Sequence, residues 1–373
     1  MRRLAPILIL AVGACAVGPG AEAVFPNRAL VPHPEALFDV APRSAALGAN
    51  NASNGQPRGV PFCPRPKDLV EYQPLLAASL AAMEAGPAYS KAPRDFARAL
   101  NGSAYRVLLD QDMGRAAEAI AALRAHAERN AWLPKGQEWS AAGAVIEGMG
   151  PLLPAWQILR QTSAATDADR QTIDGWLRRL AAYAAIHPGE NNIGSFRGAN
   201  DMLLGLMLGD DALYQQGLRS GFVRQLGAMR ADGSFPMEAD RGRTALQNTS
   251  RNIALLVYAA EIAGSQGQDL WSMRINGRGL EDAVGFLLSA DADPALVDQY
   301  AQANRNPNEK YPVFAPASQV SPWDNSAKGW IKLYTDHFPR SAQSQALLAK
   351  VDLPTRINQD TVGGYVTCYA SRL

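Results

Sequence analysis

The sequence predicts an all-α fold, a multi-helix array of amphipathic helical hairpins. Three observations predict it. Apolar residues recur at spacings of three and four through most of the chain beyond residue 67, short stretches rich in glycine and proline separate these runs, and strand-like alternation is scarce. Amphipathic helices too weak to stand alone must bury their stripes against one another. Periodicity leaves two architectures open, a bundle and an α/α toroid, and no exact internal repeat decides between them.

The N-terminus has the tripartite order of a secretory signal: Arg2 and Arg3, an apolar run from Ile7 to Val17, then the small-residue site Ala21-Glu22-Ala23. Residues 1–23 are therefore expected to be a signal peptide and to direct the chain to the periplasm or outside the cell. The run is too short to span a bilayer, and nothing later resembles a transmembrane helix. Cys15, after Val12-Gly13-Ala14, offers lipid anchoring as the alternative. Without the leader, Cys63 and Cys368 remain. In an oxidising compartment they can join, closing a long loop that contributes about 4–5 kcal/mol in the chain-entropy account, the alternative being two buried free thiols.

Residues 24–66 are rich in Pro, Asn, Gly and Ser with little periodicity and predict an extended N-terminal arm; residues 67–373 form the helical domain. Over 115–132, Ala116, Ile120, Leu123 and Ala127 make one stripe. A second helical stretch, 139–161, contains Pro151 and Pro154 and predicts two helices or one kinked helix. Thr166 and Asp169 have the spacing of an acidic capping box. The helix after them carries Ile173, Trp176, Leu177, Leu180 and Tyr183 on one face and stops at His187-Pro188-Gly189. Further helical stretches are expected at 199–208, 212–229, 243–263 and 279–290.

A net charge of +1 gives no general attraction for nucleic acid or a membrane surface, so a polyanion must be met by a local cluster. Nucleotide-binding loops and zinc signatures are absent from the sequence, and four scattered histidines (His33, His126, His187, His337) make a metal site unexpected. No cofactor is expected.

Two polar segments interrupt the apolar helices. The first, 189–197, reads Gly-Glu-Asn-Asn-Ile-Gly-Ser-Phe-Arg; the second begins at Asp232-Gly233-Ser234-Phe235-Pro236 and runs past Glu238, Arg241 and Asn248. Loops on a helical scaffold are where sites are displayed, and amides, hydroxyls and arginines suit a sugar carboxylate. Local preference alone equally makes Asn191 and Asn192 a helix cap and turn, and Arg241 a solvated member of a surface pair.

Residues 189–197 and 232–264 resemble the two signature segments of the alginate lyase superfamily, an Asn-Asn-His-x-x-Trp stretch and an Asp-Gly-Ser-(Phe/Leu)-Pro-x-Glu stretch continuing through Arg to Tyr. Weaker similarity runs from about Phe62 to Leu270. The resemblance implies an incomplete α/α toroid, a periplasmic location and β-elimination on a polyuronate such as alginate. It assigns Asn192 and Arg241 to the reaction, neutralising the uronate carboxylate as the C5 proton leaves; preorganised donors of this kind lower a barrier by roughly 3–4 kcal/mol each. Asn191, Phe196, Arg197, Asn248 and Arg251 are then candidate substrate contacts. Tyr89, Lys91 and Arg94 fall where the family carries a cover over the substrate.

The sequence departs from the family at the proton-transfer positions. Ile193 stands at the histidine position and Asn248 at the tyrosine position, with Phe196 at the tryptophan position. Neither isoleucine nor a neutral amide is a general base near neutral pH. Substitute candidates are Tyr258, alternatively a core tyrosine, and His187, alternatively a helix cap. Two other functions stay open: a non-catalytic protein that binds acidic exopolysaccharide during export, and a glycoside hydrolase using two of Glu190, Glu238 and Asp240.

Overall fold

The computed structural model describes residues 37–52, 91–133, 136, 139–301, 320–323, 327–353 and 357–370. The signal segment, Tyr89 and Cys63 lie outside the described residues. Among the described residues, no helix is long and apolar enough to cross a membrane.

Helices dominate: α1 (Val40–Ala52), α2 (Lys91–Asp110), α3 (Met113–Glu128), α4 (Trp139–Leu159), α5 (Asp167–Ala184) and α6 (Asn192–Leu208) come first. Next, α7 (Asp211–Gly217) runs through a π-helical stretch, Leu218–Val223, into α8 (Arg224–Ala228). After α9 (Pro236–Ala239) and a 3-10 turn at Gly242–Thr244 come α10 (Ala245–Gly264), α11 (Leu280–Ala292), α12 (Ala295–Ala301), α13 (Lys328–His337) and α14 (Ala342–Lys350). The chain closes with a two-residue antiparallel pairing of β1 (Asn358–Gln359) with β2 (Gly364–Tyr365), then α15 (Val366–Tyr369).

Burial sorts these helices into two classes. In α4, α6 and α10 nearly every residue is buried, whereas α3 and α5 bury one stripe and expose the rest. A helix that is apolar all round belongs inside a helical array, and one with a single stripe belongs at its rim. The packing agrees: α2 lies on α4, α4 on α6 and α6 on α10, while α3, α5 and α7 lie outside them. This inner series with outer partners is the α/α toroid, and its inner helices carry the site.

Local chemistry explains the boundaries. Thr166 accepts the Asp169 N–H and Asp169 accepts the Thr166 N–H, the reciprocal box that starts α5. Helix α4 continues through both prolines as a single helix, which decides between the two expectations for 139–161. The Asn101 amide from α2 donates to the Pro151 carbonyl at 3.0 Å, a tertiary contact at the proline turn.

One expectation is corrected. Part of the supposed extended arm is helix α1, held by α4: the Val40 N–H donates to the Gln161 side chain at 2.9 Å, and the Gln157 amide donates to the Phe38 carbonyl at 3.1 Å. Ser44 and Leu47 are buried, and Ser44 Oγ accepts the Gln111 amide at 2.9 Å where α1 packs on α2. Proline and glycine in the flanking sequence masked a short stripe that needs α4 to form. At the far end Cys368 is buried and disulfide-bonded; its partner, Cys15 or Cys63, lies outside the described residues.

Candidate active site

The first polar segment is half helix. Asn191 is the N-cap of α6, its side chain accepting the Ile193 N–H at 3.0 Å, so Asn192 through Arg197 form the opening turns rather than a loop. The turn before it closes tightly. Gly189 has φ +69°, and a Cβ on Gly194 would stand 2.1 Å from the Gly189 carbonyl oxygen, so only glycine fits at 194.

The second segment presents Glu238 to this helix start. Gly233, at φ +89°, turns the chain where a Cβ would meet the Asp282 carbonyl oxygen at 2.3 Å, and buried Phe235 anchors it. Arg230 braces the stretch through buried Asp240 at 2.9 Å. Glu238 is fully buried, and one carboxylate oxygen accepts the Asn192 backbone N–H while the other accepts Arg241 Nη1 at 3.2 Å. A carboxylate at a helix N-terminus meets both unpaired N–H groups and the positive end of the helix dipole. Burial pushes the Glu238 carboxyl above its ordinary range, and Arg241 together with the Asn192 N–H opposes that shift.

Asn248 completes the cluster. Its amide nitrogen donates to the Thr244 carbonyl at 2.9 Å, which turns its oxygen to accept from Asn192 Nδ2 at 3.3 Å. Asn192, Arg241 and Asn248 thus meet around Glu238 from three separate elements. Beneath them a chain of polar groups locks α6 to α10 and α8: Ser195 Oγ donates to Asn252 at 2.6 Å, Asn252 to Gln225 at 3.4 Å, and Gln225 to the Asn191 carbonyl at 3.3 Å.

On the adjoining face Arg251, one turn past Asn248, donates to Glu147 of α4 at 2.8 Å, and Arg94 of α2 donates to the other Glu147 oxygen at 3.3 Å. The Arg251 guanidinium stands 5.8 Å from the centre of the Phe196 ring. Phe196 lies directly against α4, where a Cβ on Gly150 would come within 2.4 Å of it. With Ile146, Ala184 and Leu255 it forms a small apolar floor on which Ile193 packs.

Several sequence expectations change here. Arg197 points inward: it is buried and donates to the carbonyls of His187 at 2.6 Å and Ala185 at 3.3 Å, so it holds the turn. Asn191 is committed to the cap. Phe196 is 3% exposed and serves as floor beneath Arg251 rather than as a stacking face for a sugar. His187 accepts the Gly189 N–H through Nδ1 at 3.0 Å, and burial beside Arg197 lowers its pKa, which favours a neutral structural ring. Tyr258 is a core residue whose hydroxyl burial drives well above its ordinary value. Arg94, Asn248 and Arg251 do reach the cluster. Tyr89 and the Lys91 side chain lie outside the described residues. Glu147 was missed, because nothing in its own helix marks it; only α2 and α10 give it partners. No group of side chains able to hold a metal occurs among the described residues.

The sequence profile of the family described as Alginate lyase matches residues 94–296, more than half of the chain. The chain belongs to the alginate lyase family. That span includes every residue of the cluster just described. A curated relative, a polysaccharide lyase of Stenotrophomonas maltophilia (strain K279a), is 28% identical over 185 residues, 48% of this chain and 50% of the relative, so the match spans about half of that protein's length. Among solved structures, alginate lyase A1-III complexed with a tetrasaccharide, as a tyrosine-to-phenylalanine variant, superposes with a TM-score of 0.73 at 22% identity, covering 93% of this chain and 98% of that one. A1-III from Sphingomonas species A1 gives 0.70 at 20%, covering 93% and 99%. An alginate lyase from Bacteroides ovatus gives 0.56 at 18%, covering 76% and 74%. At these identities the likeness is one of fold, and the family's toroid is the fold of this chain.

Proposed function

We propose that this chain is a polysaccharide lyase that cleaves an acidic, uronate-containing polymer such as alginate by β-elimination. The observation that carries the proposal is the convergence of Asn192 and Arg241 on buried Glu238, with Asn248 joined to Asn192. Elimination from a uronate puts extra negative charge on the sugar carboxylate as its C5 proton leaves, and a preorganised arginine with two amides is what stabilises that charge. Because Glu238 fixes the arginine beforehand, no reorganisation is needed when charge develops. We further propose export through residues 1–23, which places the enzyme where extracellular polymers are met.

Ile193 and Asn248, where the family has its histidine and tyrosine, favour a second reading: a non-catalytic protein that binds acidic polysaccharide. One experiment separates the two. The purified chain is offered alginate, polyglucuronate and polygalacturonate, and the unsaturated C4–C5 product is followed by its ultraviolet absorbance. The lyase gives product with at least one polymer, and Arg241→Ala lowers turnover more than ground-state affinity, since the added charge exists only in the transition state. Polymer binding without product across pH supports the binding protein.

A further inference from the structure

Resting on the lyase reading, we propose that Glu147 is the proton acceptor of this site, released for the task when substrate carboxylates draw Arg94 and Arg251 away from it. Two carboxylates stand in the cluster. Glu238 is wholly buried with both oxygens engaged, so no C5 proton can reach it. Glu147 has a side chain 21% exposed, and its partner Arg251 stands over Phe196, a member of the apolar cluster on which Ile193, at the family's histidine position, packs. Arg251 lies one turn beyond Asn248, where the family carries its tyrosine. Both proton-transfer positions that this sequence lost are thus flanked by one ion pair.

At rest the pair is closed. Arg94 and Arg251 hold one Glu147 oxygen each, with side chains 46% and 35% exposed, so both guanidinium groups are within reach of solvent. A polyuronate brings carboxylates that compete for them, and each exchange leaves a Glu147 oxygen unpaired beside a new negative charge. Loss of cationic partners and a nearby anion both make a carboxylate a stronger base. Among the described residues, charged groups near this face include Arg98, which pairs with Asp360 and lies near Asp95 from its own helix, and Glu238, which pairs with Arg241 and feels Arg251 across the cluster.

The step balances without a further reactant. The C5–H bond breaks and its proton passes to a Glu147 oxygen. The electron pair is held first by the sugar carboxylate against Arg241 and the amides, then forms the C4=C5 bond as C4–O4 breaks. O4 leaves with the proton that Glu147 returns. One carboxylate acting as acceptor and then donor requires that proton and leaving group be on the same face of the ring.

The test compares wild type, Glu147→Gln and Glu147→Asp on the polymer that wild type cleaves, with polymer affinity measured separately by calorimetry. Glu147→Gln is expected to lower kcat by about 100- to 10,000-fold and to lose the fall in kcat at low pH, with binding no weaker than wild type. Glu147→Asp is expected to keep that low-pH limb at reduced turnover. A merely structural Glu147 would instead weaken binding along with turnover and leave the pH profile of the residual activity unchanged. Turnover by Glu147→Gln within about threefold of wild type overturns the assignment and leaves the lyase reading standing. Should Glu147→Gln fail to fold, Glu147→Asp decides, and an unaltered kcat and pH profile there overturn the assignment. Absence of product from wild type on every polymer overturns both.

Discussion

Two polar regions of this molecule make an instructive contrast. One is the cluster around Asn192 and Glu238. The other is a cleft of about 1060 Å³ between α1, the end of α10, α13 and the C-terminus, lined by Arg43, Glu261, Asp269, Lys332, His337 and others, which shares no residue with the cluster. In the cleft some polar groups pair close in sequence, Lys332 with Asp336 and Ser272 with Asp269, and its long-range bonds, Arg43 to the Tyr369 carbonyl and Tyr214 to Gln268, are part-buried. In the cluster Glu238 and Asn248 meet Asn192 from 46 and 56 residues away in fully buried bonds. Short-range pairs form wherever a helix forms, whereas long-range polar pairs in a buried setting need the whole fold to place them. A cavity alone is thus a poorer guide to chemistry here than long-range polar pairs that are also buried.

The largest effect that would break this contrast is at Glu238. Glu238→Gln keeps an acceptor for the Asn192 N–H but removes the buried negative charge that faces Arg241. Turnover should fall about 100-fold, the usual scale for misplacing one preorganised donor. Stability should fall by about 1–3 kcal/mol, read as a lower denaturant midpoint at unchanged slope. Unchanged kcat in a folded Glu238→Gln protein would remove Glu238 from the account of the site.

A second expected effect concerns the far side of α6. Asp201 is 2% exposed, and burial raises its pKa to about 7 although Arg197 pulls the other way. The folded state then holds a proton that the unfolded state has released, so Asp201 contributes a fall in stability as pH rises from about 4 to about 7, set against the rise over that interval from buried His126, whose pKa burial lowers to about 4. Asp201→Asn should remove this contribution and stabilise the protein at pH 8 by on the order of 2–4 kcal/mol, measured by denaturant titration of both proteins across pH. Wild-type and Asp201→Asn curves that run parallel from about pH 4 to about pH 8 would contradict the burial argument.

How much of this was legible beforehand divides along the same line. The capping box at Thr166 and Asp169, the apolar stripe of α5 and the stop near His187 follow from neighbours in sequence, and they stand as expected. Segment 189–197 read as a loop because Gly189, Asn191 and Gly194 favour turns, yet a cap followed by a glycine pressed on backbone is a helix start. Arg197 read as a substrate ligand because a charge is normally solvated; its turn to the carbonyls of 185 and 187 depends on how residues 185–190 fold back. Glu238 lay within the recognised segment, but its hold on the Asn192 N–H comes only with the packing of inner helices. Glu147 had no local signal at all.

A smaller effect tests the floor of the site. A Cβ on Gly150 would fall 2.4 Å from Phe196, so Gly150→Ala must push the ring off α4 and with it the support under Arg251. Overpacking of this kind costs about 1–3 kcal/mol. Polymer affinity should weaken together with stability, and a calorimetric affinity equal to wild type would detach Arg251 from Phe196.

The smallest effect belongs to the cleft and makes the comparison sharpest. His337 lies exposed with its ring stacked at 4.4 Å on Trp271, a polar tip over an aromatic face that could pass for a sugar platform. Trp271 itself is 5% exposed and so offers a ligand little of its surface. His337→Ala should change stability by no more than about 0.5 kcal/mol, the usual range for a surface substitution, and leave kcat and KM unaltered. The physical ground is that the carboxylates lining the cleft, Asp39, Glu261, Asp269 and Asp336, are half-buried or exposed, whereas Glu238 is buried. A rise in KM of about tenfold in a normally stable His337→Ala protein, equivalent to about 1.4 kcal/mol of binding, would mean that the cleft holds polymer and that contact range alone does not locate function.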